Sequence, residues 1–247
     1  MKQIIVGNWK MHGMTADAAK AADDIGAGMG ADVSGAQVVI CPPFTQLALL
    51  GPKLREHGIA LGAQDCHQDP CGAHTGDIAA SMLRDLGVEY VILGHSERRR
   101  DHNELDETVR EKAVAATAAG LIPIVCVGES ADQRSNGDSH ETVGWQIQGS
   151  LPQGFAGIVA YEPVWAIGSG TAASQQDIAD MTQFIREELV RQFGDAGKTI
   201  KILYGGSVNG RNAADILPVA NVGGALVGNA SLAAETFMPI VRAAVDI

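Results

Sequence analysis

Three neighbouring stretches decide the fold: Gly157-Ile158-Val159-Ala160-Tyr161-Glu162-Pro163, then Ser174 to Phe193, then Ile200-Lys201-Ile202-Leu203-Tyr204-Gly205-Gly206-Ser207. The first and third are short runs, nearly continuous in apolar residues rather than alternating. That is the pattern of parallel strands covered on both faces. In the middle stretch Ser174 and Asp177 form a capping-box pattern, and Ile178, Met181, Ile185 and Leu189 fall on one helical face. The three together read as strand, helix, parallel strand.

The same unit recurs along the chain. Candidate strands are Gln3–Trp9, Gln37–Cys41, Ile59–Gln64, Tyr90–Gly94, Leu121–Val127, Gly157–Tyr161, Ile200–Tyr204 and Gly224–Val227. Further helices are predicted from Asn103 through Val109, Ala113 and Ala116 to Gly120, and from Ser231 to Val245. Eight strands in 247 residues give about 31 residues per unit, close to the ~30 of one βαβ step. No Pro- or Ser-rich linker divides the chain, and no sequence repeat of fixed period underlies the units. Strict alternation means a parallel sheet, open and doubly wound or closed. Eight strands favour a single-domain (β/α)8 barrel over residues 1–247; the open sheet satisfies the alternation equally.

Composition narrows the functional classes. A hydrophobic fraction of 46% with 19% charged residues excludes wholesale disorder. The formal charge of −11 argues against a general nucleic-acid binder or an anionic-membrane binder. The start of the chain is apolar over too few residues for a signal peptide, and no run approaches the ~18 apolar residues of a membrane helix. Cys41, Cys66, Cys71 and Cys126 are not framed as a disulfide scaffold. The expectation is a reduced, cytoplasmic protein. Glycine is abundant at 30 residues without a period, so collagen is excluded and another use must be found.

In either parallel architecture function gathers where strands end. Strand one ends in Asn8-Trp9-Lys10, strand four in Gly94-His95-Ser96-Glu97-Arg98, strand six in Tyr161-Glu162-Pro163, strand seven in Gly205-Gly206-Ser207 and strand eight in Gly228-Asn229. One mouth thus gathers a cation, an imidazole, a carboxylate and two small-residue turns. Backbone N–H groups in such turns can point at an anion. Either turn alone is ordinary βα-turn chemistry; two in consecutive units favour phosphate. His95 precedes what looks like one helical turn, whose positive end biases the imidazole toward its neutral, hydrogen-bond-donating form. A structural histidine at a loop edge is the plainer alternative. Glu162 ends a buried run, which is costly without a task or a partner. The alternatives are a general base beside a carbonyl or an ion pair with Lys10 or an arginine. The following loop, 163–173, is apolar then small, as suits a lid that excludes water; permanent packing on the barrel is the other reading.

The segments Asn8-Trp9-Lys10, Gly94 to Arg99, Tyr161 to Gly168, Tyr204 to Val208 and Leu226-Val227-Gly228 together resemble the triosephosphate isomerase family, in order and over nearly the whole chain. The segment from Gly62-Ala63-Gln64-Asp65-Cys66-His67 to Gly72-Ala73-His74-Thr75-Gly76 is similar to that family's third βα loop. The resemblance implies a TIM barrel that interconverts dihydroxyacetone phosphate and D-glyceraldehyde 3-phosphate, a step of glycolysis and gluconeogenesis, through an enediol(ate), with no cofactor and no metal. Carried over by motif, Glu162 shuttles the proton and His95 is the neutral electrophile. Lys10 supplies positive charge and Asn8 helps hold the oxygens. The N–H groups of Gly168, Ser207, Gly228 and Asn229 bind phosphate, and Ser96 and Glu97 support the site. The loop around Thr75 reaches into a neighbouring subunit, which implies a homodimer.

Two departures stand out. Asn229 replaces a usual glycine; it keeps its N–H and tolerates φ > 0 better than most residues. Thr171-Ala172-Ala173 lacks the lysine usual in the second half of the lid. Rival readings are another phosphate-binding barrel isomerase or lyase, a non-catalytic phosphate sensor, and a metal or redox module built on Cys66, Cys71 and His74, whose spacing suits zinc poorly. Arg98-Arg99-Arg100 reads as an ion-paired face rather than a basic patch.

Overall fold

A computed structural model describes residues 2–30, 33–167 and 173–245. Its strands are β1 (Ile4–Asn8), β2 (Gln37–Cys41), β3 (Ala60–Ala63), β4 (Tyr90–Leu93), β5 (Ile122–Val127), β6 (Ile158–Tyr161), β7 (Lys201–Tyr204) and β8 (Val222–Val227). They pair in sequence order, all parallel, and β1 closes onto β8. The barrel is closed, so the open doubly wound sheet is excluded.

Helices cover the outside. They are α1 (Thr15–Ala27), α2 (Leu47–Glu56), α3 (Ala80–Asp85), α4 (Ser96–Asp101), α5 (Asp106–Ala118), α6 (Ala131–Asn136), α7 (Ser139–Ser150), α8 (Gln175–Phe193), α9 (Ala213–Ile216) and α10 (Ala234–Ala243). The capping box at α8 forms as the sequence suggests, with Ser174 Oγ accepting from Asp177 N and Asp177 accepting from Ser174 N. Two helix starts differ from expectation. α5 begins at Asp106, not near Asn103, because Asn103 takes a left-handed φ of 54° and Leu105 becomes the N-cap. α10 begins at Ala234, because residues 229–231 instead form a separate 3-10 turn after β8.

Both faces of every strand are buried, which is why the runs are almost uniformly apolar. Ile4, Val6, Val39, Ile92, Ile124, Ile158, Ala160, Leu203 and Leu226 fill the barrel interior, while Ile5, Ile40, Val91, Val159 and Ile202 face the helices. A strand repeats its side every two residues. The inward series Ile4, Val6 therefore continues to Asn8, and Ile158, Ala160 continues to Glu162. Leu203 leads to Gly205 and Leu226 to Gly228 by the same parity. The strand period aims these positions at the axis just above the last hydrophobic layer.

Candidate active site

A cavity of about 200 Å³ opens at the carboxyl ends of the strands. Its lining includes Asn8, Lys10, His95 and Glu162 together with Ser207, Gly228 and Asn229. It is small against the 300–1,000 Å³ typical of ligand pockets, so it suits a ligand of a few heavy atoms. Ser96 and Glu97 stand just behind it, and Thr75 lies elsewhere, on the exposed loop before α3. Gly168, Thr171 and Ala172 lie outside the described residues.

Lys10 adopts a left-handed φ of 52°, uncommon for a residue with a side chain. Two contacts hold it there: its N–H donates to Asn8 Oδ1 at 3.0 Å, and its carbonyl accepts from Gln64 Nε2 at 2.9 Å. The twist turns the ammonium into the mouth, where Nζ meets Glu97 Oε1 at 2.6 Å. Lys10 therefore pairs with Glu97 and not with Glu162.

The partner of Glu162 is His95. Oε1 lies 2.8 Å from His95 Nε2, and Oε2 accepts from Ser96 N at 3.0 Å. The carboxylate is 2% exposed and the imidazole 5%. His95 caps α4: its Nδ1 accepts from Glu97 N at 3.2 Å, which requires an unprotonated Nδ1 and fixes Nε2 as the donor whenever the ring is neutral. Burial pulls the imidazole pKa down, but the charge and hydrogen bond of Glu162 outweigh it, and the net direction is up. Burial likewise pushes Glu162 up, while His95, the Ser96 N–H and Lys10 pull it down, leaving it below the usual carboxylate range. The helix end argues for a neutral imidazole; contact with Glu162 argues the other way as long as it lasts.

The backbone around Glu162 is clamped. Its N–H donates to Val127 O at 2.7 Å, and Gly205 N donates to Tyr161 O at 2.7 Å. Gly205 has no room for a side chain, since a Cβ would lie 2.9 Å from Glu162 Cγ. The two turns are pinned by side chains. Ser207 Oγ donates to Ala166 O at 2.7 Å, and Asn212 Nδ2 donates to Ser207 O at 3.0 Å. Ser231 Oγ donates to Gly228 O at 2.7 Å, and Trp9 Nε1 donates to Ser231 O at 3.0 Å, tying β8 back to β1. Among the described residues Ser207 N has no backbone acceptor, and Asn229 opens a 3-10 turn, whose first N–H groups have none within it. Asn229 is not among the residues with positive φ, so the replacement of glycine places no strain there.

Sequence reasoning missed Glu129. Fully buried after β5, its Oε1 accepts from Tyr161 Oη at 3.1 Å and from Trp165 Nε1 at 2.8 Å, with Arg134 at 3.4 Å. Its carbonyl accepts from Val164 N at 3.1 Å. It thus anchors the first half of the loop that follows Glu162. Applying the strand-end rule to β5 as well as to its neighbours would have found it. The arginine run is ion-paired as expected: Arg98 with Asp65 and Glu104, Arg99 with Asp106, and Arg100 with Asp101. The metal reading on Cys66, Cys71 and His74 is not what the geometry brings together. Cys66 is buried, with its thiol toward Lys112 O and pushed up to about 12 by burial.

A closed parallel barrel with a carboxylate–imidazole pair, a lysine and two anion-ready turns at one mouth defines a class: a barrel enzyme for acid–base chemistry on a small anionic substrate. Comparison with known proteins narrows it. Residues 3–244 match the triosephosphate isomerase family. The triosephosphate isomerase of Gluconacetobacter diazotrophicus is 70% identical over 247 residues, covering 100% of both chains. That of Granulibacter bethesdensis is 55% identical, covering 98% of this chain and 99% of its own. A crystal structure of triosephosphate isomerase from Bartonella henselae superposes with a TM-score of 0.91 at 40% identity, covering 98% of this chain and 99% of that one. The chain belongs to the triosephosphate isomerase family, and it is an isomerase.

Proposed function

We propose that the chain interconverts D-glyceraldehyde 3-phosphate and dihydroxyacetone phosphate through an enediol(ate). The observation that carries this reading is the contact of Glu162 with His95 at 2.8 Å, in a cavity edged by Lys10 and the Ser207 and Gly228-Asn229 turns. The N–H groups of the two turns take the phosphate, which places the adjacent carbonyl and hydroxyl carbons beside Glu162. The carboxylate removes a proton from the carbon next to the carbonyl. The C–H electron pair becomes the C=C bond, and the carbonyl oxygen takes the charge. His95 Nε2–H donates to that oxygen, and Lys10 and Asn8 hold the pair of oxygens. The proton of the other hydroxyl passes to that first oxygen through His95 Nε2, and protonated Glu162 gives its proton to the neighbouring carbon as the C=C pair becomes the new C–H bond and the second oxygen's freed pair forms the new C=O bond.

Substrate entering between Glu162 and His95 parts them. Burial of the carboxyl persists while the pull of the imidazole weakens, so Glu162 becomes a stronger base when one is needed. The imidazole loses its raising partner and reverts toward the neutral donor that its helix position favours. Closure of the loop that starts at Pro163 keeps water from the enediol(ate), and Gly168 belongs to its phosphate contacts. The steps call on no cofactor or metal.

The reading includes a cytoplasmic, single-domain homodimer, with the Thr75 loop reaching into the partner. Its support is exposed apolar surface after β1 and on α3: Met11 is 94% exposed, Met14 78% and Met82 54%. Among the described residues no helix is long and apolar enough to cross a membrane. A coupled assay of the wild-type chain with D-glyceraldehyde 3-phosphate tests the reaction. Saturable turnover to dihydroxyacetone phosphate is expected; a chain that binds phosphate but turns over neither triose would overturn it in favour of a sensor.

A further inference from the structure

We propose, resting on the proton-shuttling role read for Glu162, that Gln146 of α7 is the residue that positions this base. In a parallel strand the N–H and C=O of one residue face the same neighbour, and the next residue faces the other. Val127 O accepts from Glu162 N at 2.7 Å, on the β6 side. The N–H and C=O of Gly128 therefore face the β4 side. No strand meets them there: the register of β4 on β5 ends at Leu93 against Val125, and the chain turns off at Gly94 with a φ of 63°. Gln146 fills the gap. Its Oε1 accepts from Gly128 N at 2.7 Å, and its Nε2 donates to Gly128 O at 3.1 Å. A carboxamide offers an acceptor and a donor on one plane, like the edge of a peptide, so it stands in for the missing strand residue.

The path from Gln146 to the base is short. Val127 C=O and Gly128 N–H are the two ends of one peptide group. One end receives the Glu162 N–H and the other is held by Gln146, so the amide fixes the tilt of the plane on which the Glu162 backbone hangs. Hydrogen bonds in series across a peptide also polarise one another. Gly128 touches the base a second time, since a Cβ there would overlap Glu162 O, so no slack separates the two residues. Beside them lies a cavity of about 350 Å³ whose lining includes Gly94, Ser96, Gly128, Gln146 and Glu162. Without its two bonds Gly128 has room to relax into that space and to draw Glu162 with it. Gln146 does not line the substrate cavity, so its effect on turnover passes through Glu162. Its neighbours Val143 and Ile147 carry the packing of α7 into the core. None of these residues lies on the Thr75 loop that the homodimer reading places against a partner.

The test compares Gln146→Met and Gln146→Glu with the wild-type full-length chain, by coupled assay with D-glyceraldehyde 3-phosphate, by inhibition with inorganic phosphate and by thermal melt. Methionine keeps the volume and offers neither bond. Gln146→Met should lower kcat about tenfold, less than the ~10²-fold of a 1 Å displacement because the bond to Val127 remains. KM and the phosphate inhibition constant should stay within about twofold of wild type, as the turns read as the phosphate site are untouched. In Gln146→Glu the introduced carboxyl restores both bonds when protonated and cannot donate to Gly128 O when ionised. Partial burial and the nearby Glu162 carboxylate raise its pKa, so kcat relative to wild type should rise as pH is lowered from about 8 to about 5. A merely structural residue would lower Tm and leave kcat of the folded chain within about twofold; that result in Gln146→Met overturns the proposal. Should Gln146→Met fail to fold, a ratio of Gln146→Glu to wild-type kcat that is independent of pH overturns it instead. Glu162→Asp is assayed alongside. Full turnover there removes the base itself, whereas a loss there with none in Gln146→Met removes only the role of Gln146.

Discussion

Shortening Glu162 to aspartate isolates position from charge. Glu162→Asp keeps a carboxylate and withdraws it by one C–C bond, about 1.5 Å. The backbone cannot follow. It is bonded to Val127 on one side, Gly205 backs against the Glu162 side chain on the other, and a Cβ at Gly128 would lie 1.7 Å from Glu162 O. The aspartate therefore loses reach toward both His95 Nε2 and the substrate carbon. A displacement of about 1 Å at a reacting group costs about 10²-fold, so a loss of about 10² to 10³ in kcat is expected, or about 2.7–4 kcal/mol. In the proposed reading phosphate is held by the Ser207 and Gly228-Asn229 turns, which the substitution does not touch. Competitive inhibition by inorganic phosphate should therefore stay within about twofold of wild type, well under the ~1.4 kcal/mol that a tenfold change represents. Coupled assays in both directions measure kcat and KM, and the phosphate inhibition constant is read from the same assay. Turnover within about threefold of wild type, or a loss confined to KM, would refute the claim that the clamped carboxylate is the base.

Four further outcomes follow from the geometry. Lys10→Met removes the ammonium from the mouth and should lower kcat/KM about 10²–10³-fold, with a weaker dependence on ionic strength; an unchanged salt profile contradicts the role of Lys10. Glu162→Gln should lower the His95 pKa relative to wild type, because burial keeps pulling it down and the raising carboxylate is gone; imidazole NMR reads the shift, and an unmoved titration refutes the pairing. By linkage, Glu162 stabilises the fold above the ordinary carboxylate pKa and loses that contribution as pH falls through its lowered value, whereas His95 contributes below about 6.5 and loses it as pH rises through its raised value. The pair is therefore worth most between those limits. Lys112→Met removes the buried ammonium that lies 2.8 and 2.6 Å from Asp65 and Glu104 and leaves the two carboxylates to share Arg98, so it should cost up to about 3 kcal/mol, the lower end for a broken buried pair, and lower Tm by up to about 6–12 °C; a melt within a degree of wild type would contradict it.

Much of the barrel was legible because its signals are local. β2 has the bounds read from Gln37–Cys41, and the Ser174–Asp177 box sets the start of α8 where expected. Strand parity then carries Asn8 and Glu162 to the axis. The helix starts at Asn103 and Ser231 were missed because single-residue backbone choices decide them, a left-handed Asn103 and a 3-10 turn at 229–231. Side-chain partnership was the least legible layer. The sequence offered Lys10 or an arginine to Glu162, but barrel closure gives Lys10 to Glu97 and Glu162 to His95. Those pairs join residues 87 and 67 positions apart, so no local pattern encodes them. Glu129 lay within reach of the strand-end rule at β5, but its contacts with Tyr161, Trp165 and Arg134 form only in the closed barrel.

The most direct test of the account is isotope exchange during turnover in deuterated water. The wild-type chain converting dihydroxyacetone phosphate should deliver glyceraldehyde 3-phosphate with solvent deuterium at the carbon that Glu162 reprotonates, and Glu162→Gln should abolish both turnover and label. Turnover or labelling that survives at the wild-type level in Glu162→Gln would contradict proton shuttling by Glu162.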